Sequence, residues 1–180
     1  KQLFEIEQML GWYQKDQRVH VGHGLIRFQD KKMSTRKGNV IWLDDVLAQA
    51  YERVSQLSAD LEESAKWKIA VGALKWNDLK RTMHIPMIFD WDELTNIKGN
   101  SGPYMQYTYV RCMSVLEKAD SSIANHFDTL LNNKMYLNSK LNVMQRDLLR
   151  NLCKYSDVVE LAAKEFAPHH IPNYLYELAQ

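Results

Sequence analysis

Apolar positions recur along most of the chain at three- and four-residue spacing, interrupted near the front by one stretch with an extended rhythm. In LFEIEQMLG, residues 3–11, Leu3, Phe4, Ile6, Met9 and Leu10 make a helical stripe that Gly11 ends as a C-terminal stop. Val19, Val21, Leu25, Ile26 and Phe28 lie among glycines and polar residues as far as Asp30, a pattern that predicts a short strand or hairpin. A polar loop follows at 31–39, and Val40-Ile41-Trp42-Leu43 is short, branched and extended. Asp44 is then placed to N-cap a helix whose apolar face is Val46, Leu47, Ala50, Tyr51 and Val54.

A second helix is predicted from Ala59 to about Arg81, with Leu61, Ala65, Ile69, Ala73, Trp76 and Leu79 on one face and Glu62, Glu63, Lys66 and Lys68 solvated. Pro86 forces a break, and MIFDWDEL with Gly99 forms a short connecting element. Asn100-Ser101-Gly102-Pro103 punctuates the chain, Pro103 suiting the first turn of a helix that runs to about Lys118. Three further helical pieces follow at roughly 121–133, 140–153 and 156–166, then Pro168 and a final stretch from 171. The expected architecture is mainly α with a small β element near the front, without repeats or low-complexity linkers.

With 180 residues the chain can bury about 70% of its unfolded surface, enough for one ordinary domain or two small ones. A net charge of +1 gives no overall basic excess, so any nucleic-acid role has to be local. One local excess exists in KKMSTRK, residues 31–37, with four cations and no anion. Cys112 and Cys153 fit neither a disulfide framework nor a zinc spacing, which points to a reducing compartment and a soluble, cytoplasmic protein. No leader or membrane span is expected. Trp67 and Trp76 are expected in the core.

Candidate chemistry is concentrated in KKMSTRKGN. Ammonium and guanidinium groups supply charge there, while Ser34, Thr35 and backbone N–H groups supply directed donors, a combination that can wrap a polyphosphate. His20-Val21-Gly22-His23 has the form of an H-x-G-H nucleotide-binding tetrapeptide, yet the run after it, Gly24-Leu25-Ile26-Arg27-Phe28, is strand-like. It therefore lacks the helix whose N-terminus would face a phosphate, so both histidines are read as core or rim residues, with His23 or Gly24 left as possible lining of a nucleotide pocket. His169-His170 suggests no metal, because adjacent residues diverge on a helix and no third ligand of suitable spacing is present. Asp90, Asp92 and Glu93 are better explained by a polar turn than by acid–base chemistry.

In its order, KMSTRKGNVIWLDDVL resembles the KMSKS loop of class I aminoacyl-tRNA synthetases, in the form carried by the arginyl-tRNA synthetases. FDWDELTNIKGNSGPYMQYTYVR, residues 89–111, is similar to the segment that leads this family into its helical anticodon-binding domain. Residues 147–180, DLLRNLCKYSDVVELAAKEFAPHHIPNYLYELAQ, resemble the middle of that domain. The resemblance implies a helical bundle of the anticodon-binding type preceded by the α/β tail end of a Rossmann-like catalytic domain. Its expected divisions are 1–45 (end of the catalytic domain with the loop), 46–99 (helical connecting region) and 100–180 (anticodon-binding domain).

The same resemblance implies ATP-dependent activation of arginine and its transfer to tRNA-Arg, with ATP and its Mg2+, arginine and tRNA-Arg as partners, no protein-bound metal, and a monomer. It also implies that the family's upstream nucleotide-binding half lies outside this chain, which is then expected to be a catalytically inactive fragment. Lys32, Arg36 and Lys37 carry the catalytic expectation, and Lys32, Met33, Ser34, Thr35 and Arg36 the nucleotide-binding one. Thr35 stands where the loop pattern has its second lysine, which leaves Arg36 or Lys37 to supply that cation. Tyr104, Tyr107 and Arg111 fall at i, i+3 and i+7 and are expected to meet tRNA on one helix face, with Gln106 on another face at an interdomain contact. The rival reading is a non-catalytic helical adaptor or RNA-binding module derived from such a synthetase.

Overall fold

The computed structural model describes residues 2–14, 17–28, 42–119 and 141–180. Their elements, in chain order, are α1 (Gln2–Met9), β1 (Ile26–Phe28), α2 (Leu43–Leu57), α3 (Glu63–Leu79), β2 (Met87–Phe89), α4 (Trp91–Thr95), α5 (Gly102–Lys118), α6 (Val143–Cys153), α7 (Tyr155–Glu165) and α8 (His170–Ala179). The chain is mainly α, as its periodicity predicts. Gly11 ends the first helical segment at φ 72°, a conformation that costs glycine nothing. The piece predicted at 121–133 and the loop at 31–39 lie outside the described residues.

β1 is not half of a hairpin with β2. It runs parallel to it, with Ile26 opposite Met87, Arg27 opposite Ile88 and Phe28 opposite Phe89. Parallel strands need a crossover, and α2 and α3 provide it. Residues 19–25, read together with the strand, are irregular. MIF, read as part of a connector, is the missing partner, its alternation burying Met87 and Phe89 and exposing Ile88.

α2 starts one residue before Asp44, the expected cap. Trp42 occupies the cap position without a side-chain hydrogen bond, and Asp44 and Asp45 lie in the first turn, where carboxylates favour the helix dipole. Its inward face is Val46, Ala50 and Val54, on the predicted stripe. α3 spans 63–79, and its covered positions are Ala70, Ala73 and Asn77. Leu61 and Leu79, assigned to that stripe from spacing, are exposed: Leu61 falls before α3 begins, and α3, sandwiched between α2 and α5, buries the small residues at those crossings instead of Leu79.

Trp67 and Trp76 are not core residues either. Trp67 stacks on Tyr51 at 4.5 Å at the surface, and half-buried Trp76 donates its indole N–H to Asn100 Oδ1 at 2.7 Å. The core itself is Val46, Ala73, Met87, Phe89 and Leu94, continued by Ala50, Val54 and Ala70. Leu94 is 1% exposed, and its burial contributes about 2 kcal/mol.

Three consecutive devices lead into α5. Asp90 caps α4 by accepting from the N–H groups of Asp92 and Glu93, so the acidic turn is structural. Lys80 and Arg81 grip Glu93 at 2.7 and 2.6 Å. Ser101 caps α5 by accepting from Tyr104 N–H at 3.2 Å, donates its hydroxyl to the Asn96 carbonyl, and is 2% exposed. Replacing Ser101 with alanine removes the cap and strands a carbonyl, so a loss of about 1.5 kcal/mol is expected in urea unfolding. A loss below about 0.5 kcal/mol would mean that Pro103 alone defines the start of the helix.

In the C-terminal part, an Asn142–Gln145 capping box starts α6. Tyr174 of α8 donates to the Asn151 carbonyl of α6 at 2.9 Å.

Candidate functional site

Lys32, Met33, Ser34, Thr35, Arg36 and Lys37 all lie outside the described residues. The structure does describe the support on either side of them. β1 enters the loop after pairing with β2, and α2 leaves it into the core. The H-x-G-H look-alike lies on the entering arm. No helix succeeds it: His20 is exposed and edge-on to Phe4 at 6.5 Å, and His23 is exposed with Nδ1 3.1 Å from the Gly24 carbonyl.

Both histidines are therefore rim residues of an irregular segment. Gly24 packs so tightly on the Ile85–Pro86 backbone that a Cβ would collide with it, and its N–H donates to the Met83 carbonyl at 2.5 Å. Together with Asp78, Arg81 and Thr82, His23 and Gly24 line a cavity of about 380 Å³.

The aromatic helix face divides in two. Tyr104 is half-buried, donates its hydroxyl to the Ala179 carbonyl at 3.0 Å and meets Tyr176 edge-on at 5.7 Å, so it ties α5 to α8. Tyr107 is 55% exposed, and the Arg111 guanidinium lies over its ring at 5.7 Å. Of the three expected contacts, Tyr107 and Arg111 form one open surface pair, and Tyr104 is committed to packing. A base can stack on the Tyr107 ring while Arg111 pairs with a phosphate or a base edge.

Gln106, one position away, is on the opposite duty. Its Nε2 donates to the Lys68 carbonyl of α3 at 2.9 Å. Helical spacing sets this glutamine on another face, at an expected interdomain contact, but does not name α3 as its partner; nothing in the sequence distinguishes Lys80, whose side chain is only 7% exposed, from a surface lysine. Lys80 is the residue that sequence reasoning passes over.

The pair at 169–170 departs from expectation in a different way. The two imidazoles face each other at 4.4 Å instead of diverging, because His169 sits in the turn entering α8 and not on its body. His170 Nε2 meets Glu165 at 2.9 Å, while burial and the neighbouring His170 hold His169 below the usual imidazole range. Among the described residues, no three His, Cys, Asp or Glu side chains are placed to hold a metal ion.

These features define a class: a helical module with an exposed aromatic–arginine surface, attached to the closing βαβ element of an α/β domain. Residues 1–91 match the family described as "tRNA synthetases class I (R), catalytic domain", and residues 105–180 match the "DALR anticodon binding domain". The chain belongs to the arginyl-tRNA synthetase family.

Among curated relatives, it is 36% identical over 189 residues to the arginine–tRNA ligase of Fusobacterium nucleatum, covering all of this chain and 32% of that protein. The enzyme of Clostridium botulinum is 32% identical over 187 residues, covering 100% of this chain and 31% of that protein. That of Acanthamoeba polyphaga mimivirus is 30% identical over 190 residues, covering 98% and 30%. The chain thus spans about a third of the length of the relatives it matches.

Proposed function

We propose that this chain is the loop-to-anticodon-domain portion of an arginine–tRNA ligase, which activates arginine with ATP and transfers it to tRNA-Arg. The observation that carries the reading is the succession of two family matches, catalytic and then anticodon-binding, along one chain. The three-part division at 1–45, 46–99 and 100–180 belongs to the proposal, as do a cytoplasmic location and a monomeric state. No described helix is long and apolar enough to cross a membrane.

ATP, with its Mg2+, would supply the adenylate and the pyrophosphate leaving group. The donor set of the loop suits a triphosphate: Lys32, Arg36 and Lys37 bring positive charge, Ser34 and Thr35 bring hydroxyls, and Met33 would help to hold the nucleotide. Catalysis of this kind is positioning and charge stabilisation, so no nucleophilic side chain is required. In the intact enzyme, loss of Lys32 or Arg36 would weaken transition-state binding by about 3 kcal/mol. On the RNA side, Tyr107 would stack an unpaired base and Arg111 would hold its phosphate, with Tyr104 keeping their helix seated.

The test is binding of labelled tRNA-Arg against a non-cognate tRNA across a salt series. Binding that favours tRNA-Arg and weakens with salt is expected, together with a loss of about tenfold in Tyr107→Ala and a shallower salt slope in Arg111→Ala. Equal affinity for both tRNAs, unmoved by either substitution, would sink the RNA reading of this face.

A further inference from the structure

The first turns of α5 are held from two sides, and among the described residues its later turns are mostly exposed. Ser101, Gly102 and Pro103 are buried, Tyr104 reaches α8, and Gln106 reaches α3. From Tyr107 onward, nearly every residue to Lys118 is exposed among the described residues. Gln106 is therefore the last residue at which a described partner sets the roll of this helix about its axis.

The contact is a built one. Gly72 leaves room on α3 for the Gln106 amide, which a Cβ there would strike. Gln106 Nε2 then donates to the Lys68 carbonyl one turn earlier on α3, and Oε1 is buried without a hydrogen-bond partner among the described residues. Gly102 of α5 lies against the Gly72 carbonyl, where a Cβ would come to 2.5 Å, so backbone meets backbone at the crossing and the amide locks its angle.

Side-chain atoms lie roughly 5–6 Å from a helix axis, so a roll of about 20° would carry the Tyr107 ring and the Arg111 guanidinium about 2 Å sideways. That is enough to break a stack or a phosphate contact.

We propose that Gln106, seated over Gly72, is a positioning residue for RNA recognition: it sets the azimuth at which α5 presents Tyr107 and Arg111. The inference rests on the RNA reading above and adds to it a residue that never touches the RNA. The same roll angle bears on specificity. A base stacked on Tyr107 and a phosphate on Arg111 must be satisfied together, which only one roll angle permits.

The experiment is a double-mutant cycle on this chain, with labelled tRNA-Arg and a non-cognate tRNA, folding being checked by circular dichroism. Gln106→Met keeps side-chain length and removes the amide, and is expected to weaken tRNA-Arg binding about tenfold, on the scale of one lost base stack. In that background Arg111→Ala should cost little more, since the guanidinium is already misplaced; residues acting as one unit are non-additive. Gly72→Ala, on α3 and away from the exposed face, should reproduce the loss by displacing the amide.

Wild-type-like binding in folded Gln106→Met or Gly72→Ala would overturn the inference and leave the RNA reading intact. Full additivity with Arg111→Ala would also overturn it, reducing Gln106 to a stability contact. Absence of selective tRNA-Arg binding by the wild-type chain would overturn both readings at once.

Discussion

Gly102→Val is expected to destabilise the chain by about 3 kcal/mol or more and to lower Tm by roughly 10 °C. A Cβ at this position would lie 2.5 Å from the Gly72 carbonyl oxygen and 2.7 Å from the Ala73 Cα. Both neighbours are backbone atoms of a helix in the core, so neither can rotate away as a side-chain tip would. α3 and α5 would have to separate, opening the layer that contains Ala73 and freeing Gln106 from Lys68.

Gly99→Ala is the control. Its Cβ would have the Asn96 side chain as its nearest neighbour, at 3.2 Å, and a change within about 0.5 kcal/mol is expected for a neighbour that can turn aside. Urea or thermal unfolding of the two variants decides the matter. Equal, small losses in both would mean that the helix crossing yields.

Lys80→Met is expected to cost about 3 kcal/mol, at the lower end for a broken buried ion pair because the partner carboxylate remains partly wet. The Lys80 ammonium donates to Glu93 Oε1 at 2.7 Å and to the Asn100 carbonyl at 2.6 Å, and thereby pins the turn that precedes α5. Glu93 is held on its other oxygen by Arg81.

Burial by itself would raise the Glu93 pKa, but hydrogen bonds and charge from Lys80 and Arg81 outweigh it and hold the carboxyl below its ordinary value of 4.5. A carboxyl with a depressed pKa in the folded chain stabilises it fully above 4.5, and that contribution fades as pH falls through the folded value. Wild-type stability should therefore decline in that acid window, and Glu93→Gln should have a flatter acid limb from a lower neutral plateau. Parallel acid limbs in wild type and Glu93→Gln, monitored by urea unfolding, would show that the pair is not coupled to folding.

Local residue pattern settled some features of this protein and tertiary contact the others. Periodicity alone located α2 and its inward face of Val46, Ala50 and Val54, since burial of one helix face requires that spacing whatever lies opposite. Asn100-Ser101-Gly102-Pro103 announced the start of α5, because a proline in the first turn satisfies a need local to the helix end; the Ser101 hydroxyl cap is what the structure adds. The order of residues in KMSTR and in the stretches at 89–111 and 147–180 identified the family, which the matches to the catalytic and anticodon-binding domains bear out.

Only the tertiary structure decided which surfaces meet. The partner of Ile26–Phe28 is a parallel strand far along the chain, and its register depends on how α2 and α3 pack across the crossover, information absent from either strand. Tyr104, Tyr107 and Arg111 share one helical spacing, yet α8 covers the first and leaves the other two open. Lys80 looks like a surface lysine until Glu93 and Asn100 come within reach, and the Lys68 carbonyl that receives the Gln106 amide is a partner its helical spacing does not name. Helix formation depends on neighbours three and four residues away, which the sequence displays. The burial of a charge, the closeness of two glycines and the exposure of an aromatic ring depend on atoms that only folding brings together.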